Sequence, residues 1–399
     1  TISNCTFRAN ETGLYNDGGK PAIFDSLILA NTSRGIDSKG ATSALTATDT
    51  VFVGNTGFGI YLFQRAGIFT RCIWSGNAGT YAIYVNAAPG TIIEDCVFSG
   101  NMGSSRAGAV SIYNIASLTL RRNLIAGNWA STYYGGGVQL DIAGATILSC
   151  TIANNYSKGS GGGIAFYDRD DNATARTLTL KNSILWGNRA ATEVGNEIRF
   201  NRDGSQNKSL VMSYCDIRGG YNGANVATYI TDETVVVTVG DGMLDAEPRF
   251  APEVHGTWSH DGGYNPITGQ SILTNASATW TPGEFCGHLV NPDDARVLQY
   301  YIVTNTTDTI TIWGNAAPLA KSGTAYTIYD YHLASASGRW RAGQWVRDNR
   351  SSVCIDAGDP ATAWENEPKP NGKRVNLGAY GNTAQASMTP ESGTLLLIR

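Results

Sequence analysis

The strongest constraint on this chain is a seven-residue phrase that returns nine times. It starts at residues 4 (NCTFRAN), 25 (DSLILAN), 49 (DTVFVGN), 71 (RCIWSGN), 95 (DCVFSGN), 122 (RNLIAGN), 149 (SCTIANN), 182 (NSILWGN) and 214 (YCDIRGG), at intervals of 21 to 33 residues. A catalytic motif is needed once, where the chemistry is; a phrase repeated over half a chain is architecture. Its second position is small (Cys5, Ser26, Thr50, Cys72, Cys96, Asn123, Cys150, Ser183, Cys215) and its fourth large and apolar (Phe7, Ile28, Phe52, Trp74, Phe98, Ile125, Ile152, Leu185, Ile217). These positions share a parity, so on a strand both face one side. The seventh position is Asn in eight of the nine: Asn10, Asn31, Asn55, Asn77, Asn101, Asn128, Asn155 and Asn188.

A unit this short cannot close a core alone and must stack on its neighbours. Stacked coils place equal positions above one another at about 4.8 Å. Side-chain amides in such a file can bond along the stack, as in cross-β ladders, so these asparagines are expected to form a structural ladder. Between the phrases runs a second, mostly Gly-led one: GFGIYLF (57–63), TYAIYVN (80–86), GAVSIYN (108–114), GGGVQLD (135–141), GGGIAFY (161–167) and GNEIRFN (195–201). Further strand-like runs such as SLTLRR (117–122) precede the first phrase. Three short strands per coil, with turns of Gly, Asn and Ser and no helical periodicity, predict an all-β parallel β-helix of about nine coils over residues 1–225.

The phrases GGGI and FSGN resemble those of right-handed parallel β-helix repeat proteins with the pectate-lyase-like fold, including secreted bacterial surface proteins and chlamydial polymorphic outer-membrane proteins. The tail CIDAGDPATAWENEPKPNGKRVNLGAYGNTAQAS (354–387) is similar to the closing segment of many bacterial β-helix surface proteins. The resemblance implies a right-handed solenoid in an extracellular or cell-surface setting. In such relatives a DPxF phrase runs almost directly into YxL and IDAGDP. Here AEPRF (246–250) and DYHLAS (330–335) are far apart, so an insert interrupts the ending. The expected organisation is therefore a solenoid, a strand and connection over 226–254, a small β-barrel or β-sandwich insert over 255–328, and a C-terminal segment over 329–399. Trp280, Trp313, Tyr300 and Tyr301 are read as core of the insert.

Composition narrows the function. A net charge of -4 and a pI near 5.6 argue against nucleic acid, which requires a basic surface, and no apolar run is long enough to span a bilayer as a helix. Both ends break off in repeat-like or apolar sequence, as though cut from something longer. Five of the seven cysteines occupy the small inward column, where Ser, Thr and Asn stand in other coils; they are read as small buried fillers, with Cys286 and Cys354 left open. No cofactor is required by any motif. Calcium is the one cation with candidate ligands, Asp356 and Asp359, set against capping turns and salt links as their other reading, since calcium takes six to eight oxygens.

Three functions compete. Many proteins of this fold cleave polysaccharides, and acid–base glycoside cleavage needs two carboxylates about 5–10 Å apart. The candidates are DRDDN (168–172) with Glu193 and Glu197, and a lyase-like base from Arg199, Arg202 or Lys181. A polysaccharide lyase or glycoside hydrolase acting on an acidic polysaccharide is the alternative. The repeat holds no histidine before His255, which excludes histidine-assisted chemistry there. The second function is binding. On the Gly-led strands the outward residues form two columns, and Tyr61, Phe63, Tyr84, Tyr113, Gln139, Asp141, Tyr167 and Arg199 make a strip of rings, amides and charge suited to a glycan or a partner. A loop or subunit lying over the strip is the other reading. The third function is structural: a filament, sheath or surface component that self-associates or meets cell-surface partners. The sequence favours an extracellular structural or adhesive β-helix, without catalysis.

Overall fold

A computed structural model describes residues 1–40, 44–168, 175–193, 195–202, 208–220 and 236–390. The repeat winds as parallel coils whose strands stack into long sheets, here numbered I to IV in the order the chain visits them. The fourth coil shows all four, as Gly67–Thr70, Ile73–Ser75, Ala78–Gly79 and Tyr81–Asn86. Among the described residues, sheet I has ten strands, sheet II nine, sheet III five and sheet IV eight. Sheet II is the seven-residue phrase itself, in strict register: Phe7 pairs with Ile28, Ile28 with Phe52, Phe52 with Trp74, Trp74 with Phe98 and so on to Ile217.

Sheet III departs from the three strands expected per coil. The first three coils lack it, and the fourth to eighth carry a two-residue strand directly after the ladder asparagine.

The corners explain the phrase. Its first residue is left-handed in all nine copies, from Asn4 and Asp25 through Arg71 and Arg122 to Tyr214, and so is its sixth, for example Ala9, Gly76, Gly100, Asn154 and Gly219. A single left-handed residue turns the chain sharply between sheets, and Asn, Asp and Gly adopt that conformation at least cost. Between the corners, positions two and four point inward. Cys72, Cys150 and Cys215 are fully buried and Cys96 nearly so, while Cys5 in the first coil is half-buried. No cysteine is disulfide-bonded among the described residues. Trp74 lies between Phe52 and Phe98 with ring centroids 4.7 and 4.5 Å away and the planes within 5° of parallel.

The asparagines run as one buried file. The Nδ2 of Asn31, Asn55, Asn77, Asn101, Asn128 and Asn155 each donates to the Oδ1 of the next asparagine at 2.8–3.0 Å. The same amide donates backwards to a strand carbonyl, as Asn101 does to Trp74 O at 2.9 Å. Asn10 stands exposed at the first coil and joins through its backbone N–H only, 3.1 Å from Asn31 Oδ1. At the far end Asn188 donates to a carboxyl oxygen of Glu197.

The insert is a seven-stranded antiparallel sheet running from Val254–Thr257 to Ala325–Tyr329, around Trp258, Leu273, Tyr300, Ile302, Ile312 and Tyr326. It lies against the outer face of sheet II. Ser75 Oγ donates to Trp313 O at 3.0 Å, Arg8 reaches Ile267 O at 3.2 Å, and Tyr300 packs over Gly76 and Gly100. The C-terminal segment covers the rest of that face, with Leu333, Cys354, Ile355 and Leu377 packed on Ile184. This covering explains why the outward fifth position of the phrase is small or apolar in most coils: Leu29, Val53, Ser75, Ser99, Ala126 and Ala153 are all buried. Sheet II is thus closed on both faces, while outward residues of sheet I, such as Phe24 and Ile68, and of sheet IV, such as Tyr15, meet the surroundings.

Candidate functional site

Sheet IV brings the two outward columns together in register. One runs Tyr15, Asp37, Tyr61, Tyr84, Ser111, Gln139, Ala165, Arg199; the other runs Asp17, Lys39, Phe63, Asn86, Tyr113, Asp141, Tyr167, Asn201. The strip has two halves of different character. In the early coils the rings are accessible: Tyr15 is 58% exposed, and Tyr61, Phe63, Tyr84 and Tyr113 are half-buried. Tyr61, Phe63 and Tyr84 form one cluster with Phe58 and Tyr81. Tyr61 lies 5.5 Å from Tyr84, and Tyr81 stacks on Tyr84 at 5.3 Å within 12° of parallel. The Arg34 guanidinium sits 4.3 Å from the Tyr61 ring centroid and pairs with buried Asp37, while Lys39 Nζ is 3.3 Å from the same carboxylate. Burial raises the Tyr84 hydroxyl, with Tyr81 and Tyr61 adding to the effect, so it is neutral and available as a hydrogen-bond donor.

In the later coils the chain folds over the same columns. Ser111, Gln139, Asp141 and Ala165 are at most 2% exposed. Arg106, from the turn before its strand, pairs with Asp141 at 2.6 Å, and Tyr134 stacks on Tyr167 at 5.1 Å. Arg199 approaches the Tyr134 ring at 5.9 Å. The coil extensions that made these repeats longer therefore cap the strip here, so Tyr61, Phe63, Tyr84 and Tyr113 share an accessible surface that Gln139 and Asp141 do not join.

The carboxylates singled out for acid–base chemistry are placed differently. Residues 169–172 of DRDDN lie outside the described residues. Glu197 is fully buried; burial pushes its carboxyl up to about 8, opposed by the hydrogen bond from Asn188. It ends the asparagine ladder, while Glu193 is exposed. Lys181 is engaged with Asp359. The Asp359 carboxylate also accepts Ala361 N at 2.9 Å, and Asp356 accepts Gly372 N at 3.0 Å and Thr389 Oγ1 at 2.7 Å. Both aspartates therefore organise turns of the C-terminal segment. Among the described residues no group of three or more His, Cys, Asp or Glu side chains is placed to hold a metal ion, and no helix is long and apolar enough to cross a membrane.

One constellation escaped the sequence reading. Where the insert returns to the C-terminal segment, the buried Asp330 carboxylate receives His288 Nε2 at 2.9 Å, His332 Nδ1 at 2.7 Å and Arg339 Nη1. Arg339 also pairs with Asp348 at 3.0 Å, and His332 stacks on Tyr380 at 3.6 Å. Burial alone would raise the Asp330 carboxyl, but the charges and hydrogen bonds of the two histidines hold it well below the usual carboxylate range. The only hint in sequence is the same-parity pair Asp330 and His332 in DYHL; His288, Arg339 and Asp348 come from separate segments.

The geometry and comparison with known proteins agree on the class. Residues 64–237 match the family model described as right handed beta helix region, and residues 228–358 match the one described as disaggregatase related. No curated protein matches the chain. Among solved structures, the tailspike protein gp49 from Pseudomonas phage LKA1 is similar at 10% identity and a TM-score of 0.15, over 82% of this chain and 66% of the tailspike chain. The chain is a right-handed parallel β-helix repeat protein carrying an antiparallel sheet near its C-terminus.

Proposed function

We propose that this protein acts outside the cell as an adhesive β-helix that holds a glycan along the early coils of sheet IV. The observation that carries this reading is the accessible ring cluster of Tyr61, Phe63 and Tyr84, with Tyr15 and Tyr113 on the same register columns, held on a rigid sheet and flanked by Arg34, Lys39 and Asn86. Flat rings cover the apolar faces of sugars, while the phenol, amide and cationic groups meet their hydroxyls. Because the rings are held by strand pairing, little side-chain freedom is lost on binding. The covered outer face of sheet II is closed to a ligand, whereas this strip is accessible along the early coils.

The test is a glycan array probed with the parent protein and with the double variant Tyr61→Ala/Tyr84→Ala. A parent that binds a set of oligosaccharides, and a variant at least tenfold weaker with an unchanged urea midpoint, support the reading. A parent that binds nothing, or a variant that binds equally well, overturns it.

A further inference from the structure

A second surface differs from the strip in position and in charge. Between the last coils and the insert opens a cleft of about 490 Å³ whose walls carry Arg189, Arg218, Arg249 and Arg350 together with Trp186 and Tyr329. All four arginines are exposed, and among the described residues none of them is paired with a carboxylate. Arg218 lies 5.9 Å from the Trp186 ring, and Arg249 donates to Ser351 O at 3.2 Å. In a chain of net charge -4, four guanidinium groups around one cleft, none ion-paired to a carboxylate among the described residues, are a concentration of positive charge. Three acids also line it, Glu247, Glu253 and the buried Asp330.

Pro252, Glu253 and Asp330 also line a separate neighbouring recess of about 280 Å³. Its walls include His288, Arg341 and Arg347. The His288 ring is 95% buried, its Nε2 is committed to Asp330, and its Nδ1 is buried without a partner. A buried polar atom of this kind costs free energy unless something meets it. Four exposed guanidinium groups and an indole ring around one open cleft have the form of a site for an anionic ligand with flat faces.

We propose that this cleft binds a segment of acidic glycan, the four guanidinium groups meeting its carboxylate or sulfate substituents. Guanidinium forks match both anions in geometry, and Trp186 offers a ring to a sugar face. Glu247 and Glu253 accept sugar hydroxyls at the rim. The site lies at the junction of the insert and the solenoid, so it does not depend on the aromatic strip.

Isothermal titration with oligogalacturonate, a heparin oligosaccharide and neutral maltohexaose tests it, using the whole chain and the variants Arg189→Ser/Arg218→Ser, Tyr61→Ala/Tyr84→Ala and Arg296→Ser, the last an exposed arginine of the insert that pairs with Asp293 and does not line the cleft. The expected result is salt-sensitive binding of at least one acidic oligosaccharide, weakened tenfold or more in the cleft variant and unchanged in the other two, with maltohexaose not competing. Binding of the uronate alone, of the sulfated sugar alone or of both identifies the substituent. Absence of acidic binding, equal binding by the cleft variant, or equal loss in Arg296→Ser overturns the proposal. Loss confined to the tyrosine variant also overturns it, by moving the acidic ligand to the strip.

Discussion

Replacing Asn101 by alanine tests the stacked-file geometry more sharply than any other single change. Four hydrogen bonds pass through this side chain. Its Oδ1 accepts Asn77 N at 3.1 Å and Asn77 Nδ2 at 2.8 Å, and its Nδ2 donates to Trp74 O and to Asn128 Oδ1, both at 2.9 Å. The neighbouring amides keep other partners: Asn77 Nδ2 still reaches Phe52 O, and Asn128 Oδ1 still receives Asn101 N. The Asn77 N–H and the Trp74 carbonyl do not keep these bonds, and the site is completely closed to water. Each orphaned group costs roughly 1–3 kcal/mol, so Asn101→Ala should destabilise the solenoid by about 2–5 kcal/mol. Asn10→Ala is the internal control, because its side chain is exposed and bonds to nothing among the described residues; its effect should stay within about 0.5 kcal/mol. Urea unfolding followed by circular dichroism reads both, with amide exchange of the Asn77 and Asn101 N–H groups reporting the local opening. Equal midpoints for Asn101→Ala and Asn10→Ala would show that the ladder carries no weight.

Two further changes follow from the same packing. Glu197 has a folded pKa of about 8 against an ordinary 4.5. The folded state therefore keeps a proton that the unfolded state has lost, and its contribution is full below about pH 4.5 and lost as pH rises through 8. Between pH 5 and 9 the parent should lose on the order of 4 kcal/mol through this group, and Glu197→Gln, which keeps an acceptor for Asn188, should flatten that part of the curve; identical pH profiles in urea would contradict it. Gly127 has φ +63°, and a Cβ there would lie 2.4 Å from the Gln299 Cβ. Gly127→Ala should cost about 1–3 kcal/mol and loosen the insert from sheet II, seen as faster limited proteolysis between residues 250 and 330, whereas an unchanged cleavage rate would show that the contact is dispensable.

The residues that could be read from sequence are those whose environment repeats. Cys72, Trp74 and Asn77 were legible because their counterparts 22 to 27 residues away sit in identical surroundings, so one period exposed the inward face, the corner and the ladder together. The outer face of the same phrase carried an equally regular message at Leu29, Val53, Ser75 and Ala126, small or apolar where a solvated strand would be polar. Its meaning depended on a sheet 200 residues further on. The same limit applied to the strip. Tyr61 and Asp141 stand on equivalent faces, and only the path of the turn bearing Arg106 makes one accessible and the other buried. The length of that turn was visible, its direction was not.

The unrepeated chemistry was the least legible, and this follows from how the molecule is built. A solenoid fixes like side chains in files and so multiplies one environment; a distinctive constellation needs segments that break the period. Asp330, His288, His332, Arg339 and Asp348 meet only because the insert returns antiparallel to its entry strand and the C-terminal segment folds back over it. The arginine cleft has the same origin, since Arg189 and Arg218 stand on successive coils while Arg249 and Arg350 arrive from the connection and the tail. The regular coils supply a rigid wall and an aromatic strip. The irregular additions close sheet II and, at the place where they join it, gather charge that no repeat could have collected.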